Sequence, residues 1–224
     1  MGCDIHCFVE KRGPKTGKWK KISGFVSDYY DPDNEYFSSD KYKKTSRILC
    51  RRNYDEFAIL ANVRNGYGFA GCDTGDAIRP ISMPKGLPED VSSPIKRESD
   101  KWGGDGHSHS WLTAKEIKDY LAEDLKKIQR GWVTVPTYKQ FIETGNPYPC
   151  CGMVDGSQIM RVPQKDCEKI QAENPDKIVY TKIEWTEYAK DCAPWLFNEC
   201  LNQLMAKSSD GTGEDIRLVF WFDN

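Results

Sequence analysis

Apolar and polar residues alternate along the start of the chain, which is the pattern of a strand with one buried face. Residues 3–10 read CDIHCFVE, so the even-numbered side chains share one face and the odd-numbered ones the other. A turn rich in Gly and Pro, RGPKTG, and a short returning run, KWKKIS, come next. The pattern therefore predicts a β-hairpin whose first strand carries Asp4 and His6 side by side.

Two later runs also have strand character. Residues 178–185 are rich in β-branched and aromatic side chains, and residues 216–222 form a nearly continuous apolar run, IRLVFWF. A run of this kind at a sheet edge would promote aggregation, so we expect it at the centre of the sheet. We predict one sheet that contains residues 3–10, 178–185 and 216–222.

Helical periodicity dominates two other segments. The sequence TAKE at Thr113 is a capping-box pattern, and apolar residues at helical spacing continue to about Gln129. A second helix is predicted from about Pro194 to Lys207. Both helices are expected to pack on the sheet.

These elements predict an α+β fold with a mixed or antiparallel sheet. A length of 224 residues suits a single domain, 1–224. Residues 66–110 are interrupted throughout by Gly, Pro and Ser, so they are predicted to form a long irregular loop. A loop of this length inside a compact domain is usually functional or disordered.

Charge and composition exclude several functional classes. Lys and Arg total 32 against 34 Asp and Glu, so no overall positive field attracts bulk nucleic acid or an anionic membrane. The sequence contains no long apolar run and no pattern of a secretion signal. We therefore expect a cytoplasmic protein in which most of the 9 cysteines are reduced.

All three histidines fall in two short polar segments. The spacing Asp-x-His occurs as Asp4/His6 in MGCDIH and as Asp105/His107 in GGDGHSHS, with His109 two residues later. Imidazole and carboxylate groups together bind Zn, Mn, Fe or Ni, and a bound ion lowers the pKa of its water enough to supply a nucleophile. One hypothesis is therefore a hydrolytic metal site formed by these five residues.

A second hypothesis needs no metal ion. Two imidazoles would act as general base and general acid, and a basic side chain would stabilise the charge on phosphorus, the candidates being Arg52, Arg64 and Lys85. A third interpretation is structural, because an Asp-His pair on a strand and a Ser-His loop before a helix often only bond to their own surroundings. Asp223 and Asn224 would join the site if the last strand runs beside the first.

Several motifs are distributed along the chain, namely the start MGCDIH, a pattern from Arg52 to Arg64, the HSHSWLT segment and the end VFWFDN. Together they resemble the motifs of a family of uncharacterised proteins common in bacteriophage and prophage genomes. The resemblance brings no activity with it. It implies a phage-encoded accessory protein that acts inside a bacterial host cell.

Two functions from different classes follow. One is a phosphodiesterase or nuclease-like hydrolase that acts on a nucleotide or a nucleotide signal, in the setting of counter-defence. The alternative is a non-catalytic protein that sequesters a nucleotide or small phosphorylated ligand, or blocks a host protein. A catalytic site requires the histidines, whereas a sequestering pocket requires aromatic side chains with Arg and Lys. The oligomeric state and the role of Cys150 and Cys151 do not follow from the sequence.

Overall fold

The structure, a computed structural model, describes residues 2–224. Its strands are β1 (Asp4–Arg12), β2 (Trp19–Ile22), β3 (His107–Thr113), β4 (Lys126–Thr134), β5 (Ile159–Arg161), β6 (Ile178–Tyr188) and β7 (Ile216–Asp223). Its α-helices are α1 (Asp40–Lys43), α2 (Tyr54–Ala61), α3 (Ser93–Asp100), α4 (Ala114–Leu121), α5 (Val135–Thr144), α6 (Cys167–Glu173), α7 (Ala189–Cys192) and α8 (Leu201–Lys207). Short 3-10 helices span Phe69–Gly71 and Gln164–Asp166, and a π-helical segment, Trp195–Cys200, leads directly into α8. The predicted α+β class is confirmed.

The contacts divide the chain into two compact units that alternate along the sequence. Unit 1 comprises residues 1–65, 79–125 and 188–224, and unit 2 comprises residues 66–78 and 126–187. The organisation of residues 1–224 as a single domain stays a prediction.

Unit 1 is built on a four-stranded sheet in the order β2-β1-β7-β3. Strand β7 pairs antiparallel with β1 on one side and with β3 on the other, and its residues Ile216 to Phe222 are buried. The predicted central position of this strand is confirmed, as is the hairpin of β1 and β2. Hydrophobic residues on both faces of β7 are what a strand covered on both sides requires.

The two faces of this sheet have different partners. Phe220 and Phe222 lie on one face, where Phe57 of α2 contacts Phe222 with ring centroids 5.0 Å apart. Val219 and Trp221 lie on the other face and form a buried cluster with Phe8 and with Ile95 of α3. We call the face of Trp221 the front face and the face of Phe222 the back face.

Unit 2 contains a separate sheet in the order β4-β6-β5, in which β5 and β6 run parallel. Its buried cluster contains Val135, Cys167 and Val179. Residues 178–185 therefore belong to this second sheet, and their predicted place beside residues 3–10 and 216–222 is wrong. Strand character alone does not specify which strands pair, because pairing depends on contacts that are distant in the sequence.

The helix predicted from Thr113 to about Gln129 is correct in its first half only. Thr113 caps α4 in the expected capping box with Glu116, but the helix ends at Leu121 and β4 begins at Lys126. Asp124 takes a positive φ of 50° between the two elements. Alternate residues of β4 are buried, and this period of two competes with the helical spacing in the sequence.

The predicted loop at residues 66–110 is more ordered than its composition indicates. It contains the 3-10 helix at Phe69–Gly71, the whole of α3 and the first residues of β3. Pro94 stands in the first turn of α3, where its missing N–H costs no helical hydrogen bond. A proline that marks a loop elsewhere thus starts a helix here.

Within residues 2–224, no helix combines the length and the apolar character needed to cross a bilayer. All nine cysteines are free thiols.

A buried acid in α2 gives unit 1 a predictable response to pH. Glu56 is 3% exposed, and its Oε1 atom has no hydrogen-bond partner among the described residues. Burial raises the pKa of Glu56 well above its usual value, and the nearby Asp28 carboxylate raises it further. The folded chain then holds a proton that the unfolded chain releases, so stability is greatest below the ordinary pKa of Glu and falls as the pH rises.

We expect the parent protein to lose stability relative to the variant Glu56→Gln between pH 5 and pH 8, because all other titrating groups contribute to both proteins. An unsatisfied buried polar group costs about 1–3 kcal/mol, which sets the expected difference at pH 8. Thermal unfolding followed by circular dichroism measures it. The exposed Glu35, changed to Gln, is the matched control, and an equal pH response in the parent and in Glu56→Gln would contradict the prediction.

Candidate functional site

The front face of the unit 1 sheet carries two of the three histidines. His6 of β1 lies directly opposite Trp221 of β7, and His109 belongs to β3 on the other side of β7. Each imidazole stacks on the Trp221 indole with ring centroids 5.7 Å apart. The indole therefore lies between the two imidazoles and prevents them from acting on one substrate atom.

His107 lies on the back face. It stacks on Phe222 with ring centroids 6.1 Å apart. The register of β3 shifts between His107 and Ser110, and Ser108 has a positive φ of 51°. This bulge inserts an extra residue, so His107 and His109 point to opposite faces, whereas an extended His-Ser-His segment would place them on the same one.

His6 is enclosed by polar and aromatic groups. Its Nε2 lies 3.3 Å from Asp223 Oδ2, its Nδ1 lies 3.3 Å from Arg47 Nη2, and the Trp102 ring stands 4.0 Å from its centroid. Burial lowers the pKa of His6, the Asp223 hydrogen bond opposes this effect, and the Arg47 charge adds to it. A neutral imidazole at neutral pH is the consequence.

His109 has a different partner. Its Nε2 lies 2.9 Å from Ser99 Oγ, in α3, and Ser99 is buried. Burial is again the main cause that lowers the pKa of His109. The front face thus holds two neutral imidazoles, each fixed by its own neighbours.

The predicted acids do not join the histidines. Asp4 accepts two hydrogen bonds of 2.9 Å from Arg52, and Asp105 lies in the exposed turn before β3. Among residues 2–224, no group of three or more His, Cys, Asp or Glu side chains is arranged to hold a metal ion. The predicted convergence of Asp4, His6, Asp105, His107 and His109 is therefore not formed, because the bulge in β3 and the Trp221 indole separate its members.

The predicted basic residues are also apart from one another. Arg52 is bound to Asp4, and Arg64 lies 3.4 Å from Asn224 Oδ1 and 5.6 Å above the Tyr54 ring. Both lie near the end of β7, where Asp223 and Asn224 reach the first strand as the sequence suggested. Lys85 belongs to the opposite end of the sheet.

Lys85 lines an open cleft of about 830 Å³ at the start of β7. The cleft is formed by the β1–β2 hairpin, the segment 85–90, the end of β3 and the first turns of α4. A volume of this size is in the range of small-molecule sites. Every residue that lines the cleft belongs to unit 1.

Stacked cations and aromatic rings form the floor of the cleft. The Arg217 guanidinium lies 4.0 Å from the centroid of Trp19 and 5.4 Å from that of Trp111. Lys85 Nζ lies 4.0 Å from the Trp111 centroid, and Arg12 lies 5.6 Å from that of Trp19. Such cation–π contacts fix both indoles, while Trp111 remains partly exposed.

Arg217 is held from below by a buried carboxylate. Glu10, directly opposite on β1, accepts a 2.9 Å hydrogen bond from Arg217 Nε, and its side chain is 0% exposed. Asp90 approaches the same guanidinium from the rim, with Oδ1 2.9 Å from Nη2 and a side chain that is 63% exposed. One guanidinium is thus shared by an inner and an outer carboxylate.

The cleft is lined by charges of both signs, of which some form ion pairs and others do not. Lys85 pairs with Glu116 at 2.8 Å, and Lys115 pairs with Asp119. Among residues 2–224, three further lining side chains have no ion-pair partner, namely Arg12, Glu89 and Glu214. The site is therefore mixed in charge rather than purely basic.

The start of α4, where helix geometry favours an anion, already holds a carboxylate. Glu116 Oε2 accepts hydrogen bonds from the Thr113 backbone N–H at 2.7 Å and from its hydroxyl at 3.0 Å. The Lys115 N–H donates to the Gly213 carbonyl. The protein's own side chain thus occupies the position that an anionic ligand would take.

Lys85 is the one lining residue of the cleft that the sequence predicted as a ligand contact, and the floor of the cleft was not predicted. Trp19, Trp111 and Arg217 lie on three different strands, and only the strand order brings them together. The available signal was the lone basic residue in IRLVFWF, since an arginine inside a buried strand requires a carboxylate partner.

Comparison of the chain with protein-family models, with curated proteins and with solved structures finds no match in any of the three.

Proposed function

We propose that this protein binds a nucleotide, or a ligand of the same chemistry, in the cleft above Trp19, Arg217 and Trp111 without hydrolysing it. The observation that supports this most is the combination, in one open cleft, of a partly exposed indole and unpaired groups of both charges. Of the histidines, by contrast, His6 is buried, His107 and His109 are half-buried, and the three are separated.

Each part of a nucleotide has a suitable counterpart in the cleft. The exposed part of Trp111 offers a flat surface for a base, and stacking of a base on an aromatic ring is sequence-tolerant. Arg12, Lys85 and Lys115 offer positive charge to a phosphate. The unpaired carboxylates Glu89 and Glu214 can accept hydrogen bonds from ribose hydroxyls, a role that acidic residues fill in dinucleotide sites.

The mixed charge argues against a plain anion as the ligand. Five acidic side chains line the cleft together with four basic ones, so a bare phosphate ion gains little net attraction. A ligand that also provides a ring and hydroxyl groups uses the cleft more completely.

Binding is tested by titrating the protein with adenosine 5′-monophosphate, ADP-ribose and a cyclic dinucleotide, followed by tryptophan fluorescence and calorimetry. We expect Trp111→Ala to weaken binding by about 5- to 150-fold, since stacking of one base is worth about 1–3 kcal/mol. Lys115→Ala should weaken it less, because Lys115 is already paired with Asp119. Lys118→Ala is the matched control for Lys115, because Lys118 is exposed on the same helix and does not line the cleft.

Recovery of the ligand distinguishes binding from catalysis. The proposal expects the nucleotide to be returned unaltered after prolonged incubation. If none of the three ligands binds, the proposal is wrong.

A hydrolase remains the second candidate, and one contact favours it. The neutral His109 lies 2.9 Å from the Ser99 hydroxyl, which is the arrangement of a general base beside a nucleophile. Turnover that is abolished by Ser99→Ala and by His109→Gln, but not by His107→Gln, would support this candidate. A host-cell location and a counter-defence role would fit either function as inferences from the phage resemblance.

A further inference from the structure

We infer that Arg217 is the anion-recognition residue of the cleft and that Asp90 occupies its position until an anionic group of the ligand displaces it. This inference rests on the proposed function, because it assigns the part of the same cleft that would receive a phosphate. Arg12, Lys85 and Lys115 then act as supporting charges around that position.

The placement of Arg217 is unusual for a residue that only stabilises the fold. Its side chain is 3% exposed, yet it lines an open cleft rather than the interior of the unit. The indoles of Trp19 and Trp111 stand against it, so its rotation is restricted. A guanidinium held in this way is already oriented for a planar or tetrahedral anion, and little entropy is lost on binding.

One nitrogen of this guanidinium is not satisfied. Glu10 and Asp90 approach Nη2 to 2.7 and 2.9 Å, but Nη2 makes no hydrogen bond with acceptable geometry among the described residues. A buried N–H without a well-placed acceptor costs free energy, and a ligand oxygen in line with it would recover that cost.

Asp90 is suited to be displaced, and Glu10 is not. The Asp90 side chain is 63% exposed at the rim, so it can turn into water when its partner is taken. Glu10 is fully buried and also accepts a 2.7 Å hydrogen bond from the Ser92 N–H, which fixes it below the guanidinium. Solvent screens the exposed Asp90 carboxylate, so the exchange of Asp90 for a ligand phosphate is energetically accessible.

Two neutralising substitutions in the same cleft separate this mechanism from a general charge effect. Asp90→Asn and Glu89→Gln each remove one negative charge from neighbouring exposed positions, but only Asp90 touches Arg217. Arg217 itself is left unchanged, because its removal would leave Glu10 buried without a counter-charge. Affinities for adenosine 5′-monophosphate and for adenosine are measured by calorimetry with the parent protein and both variants.

The expected result is that the ratio of the affinity for adenosine 5′-monophosphate to the affinity for adenosine is about two- to five-fold higher in Asp90→Asn than in Glu89→Gln, which corresponds to about 0.4–1 kcal/mol for one solvent-screened ion pair. Adenosine carries the same ribose but no phosphate, so this ratio cancels any ribose hydrogen bond that Glu89→Gln removes. If the monophosphate binds the parent protein but the two variants do not differ in this ratio, Arg217 is not the anion position and only the binding function stands. If neither variant nor the parent binds either compound, the proposed function fails together with this inference.

Discussion

Glu10→Gln is expected to lower the free energy of unfolding by about 3–5 kcal/mol, because it leaves the buried Arg217 guanidinium without its inner counter-charge. Both side chains are at most 3% exposed, so water cannot replace the lost carboxylate. Asp90 remains, but it lies at the surface and its attraction is weakened by solvent. Urea unfolding followed by tryptophan fluorescence measures the loss.

Two further variants test the cause of that loss. Glu89→Gln removes an exposed carboxylate from the same cleft, and it should change the free energy of unfolding by no more than about 0.5 kcal/mol. The double variant Glu10→Met with Arg217→Met should recover most of the lost stability, since apolar side chains can replace a buried ion pair at little cost. A double variant as unstable as Glu10→Gln would show that the charge imbalance is not the cause.

Trp221→Ala is expected to lower the free energy of unfolding by a similar amount, about 3–5 kcal/mol, because it opens a cavity at the centre of the front face. The indole is fully buried and contacts the rings of His6, Phe8 and His109. Trp221→Phe keeps an aromatic ring in the same place and should cost clearly less. Thermal and urea unfolding of both variants provide the measurement, and equal losses would mean that cavity formation does not dominate.

Some elements of the fold could be predicted because the residues that determine them are close together in the sequence. The hairpin of β1 and β2 follows from alternation and a Gly-Pro turn, and the start of α4 follows from the capping box at Thr113. The central place of β7 follows from its apolar faces. Each of these features is determined by neighbours in the sequence.

The candidate site depends on register, which has no local signal. A single extra residue in β3 sends His107 to the back face, and nothing in HSHS distinguishes that bulge from a regular strand. The pairing of Glu10 with Arg217 likewise requires the alignment of strands at opposite ends of the sequence. The residue types therefore indicated which side chains could belong to a functional site. Only the strand order and register determined which of those side chains lie close together.

The position of β7 has a consequence for synthesis of the protein. Strands β1 and β3 are joined only through β7, so each presents an unpaired edge to other chains until β7 leaves the ribosome. Strand β3 ends at Thr113 and β7 begins at Ile216, and at about 5–20 residues per second translation of the intervening chain lasts roughly 5–20 s. The four-stranded sheet cannot close during that interval. Nascent unit 1 is therefore most exposed to pairing with other chains during that interval.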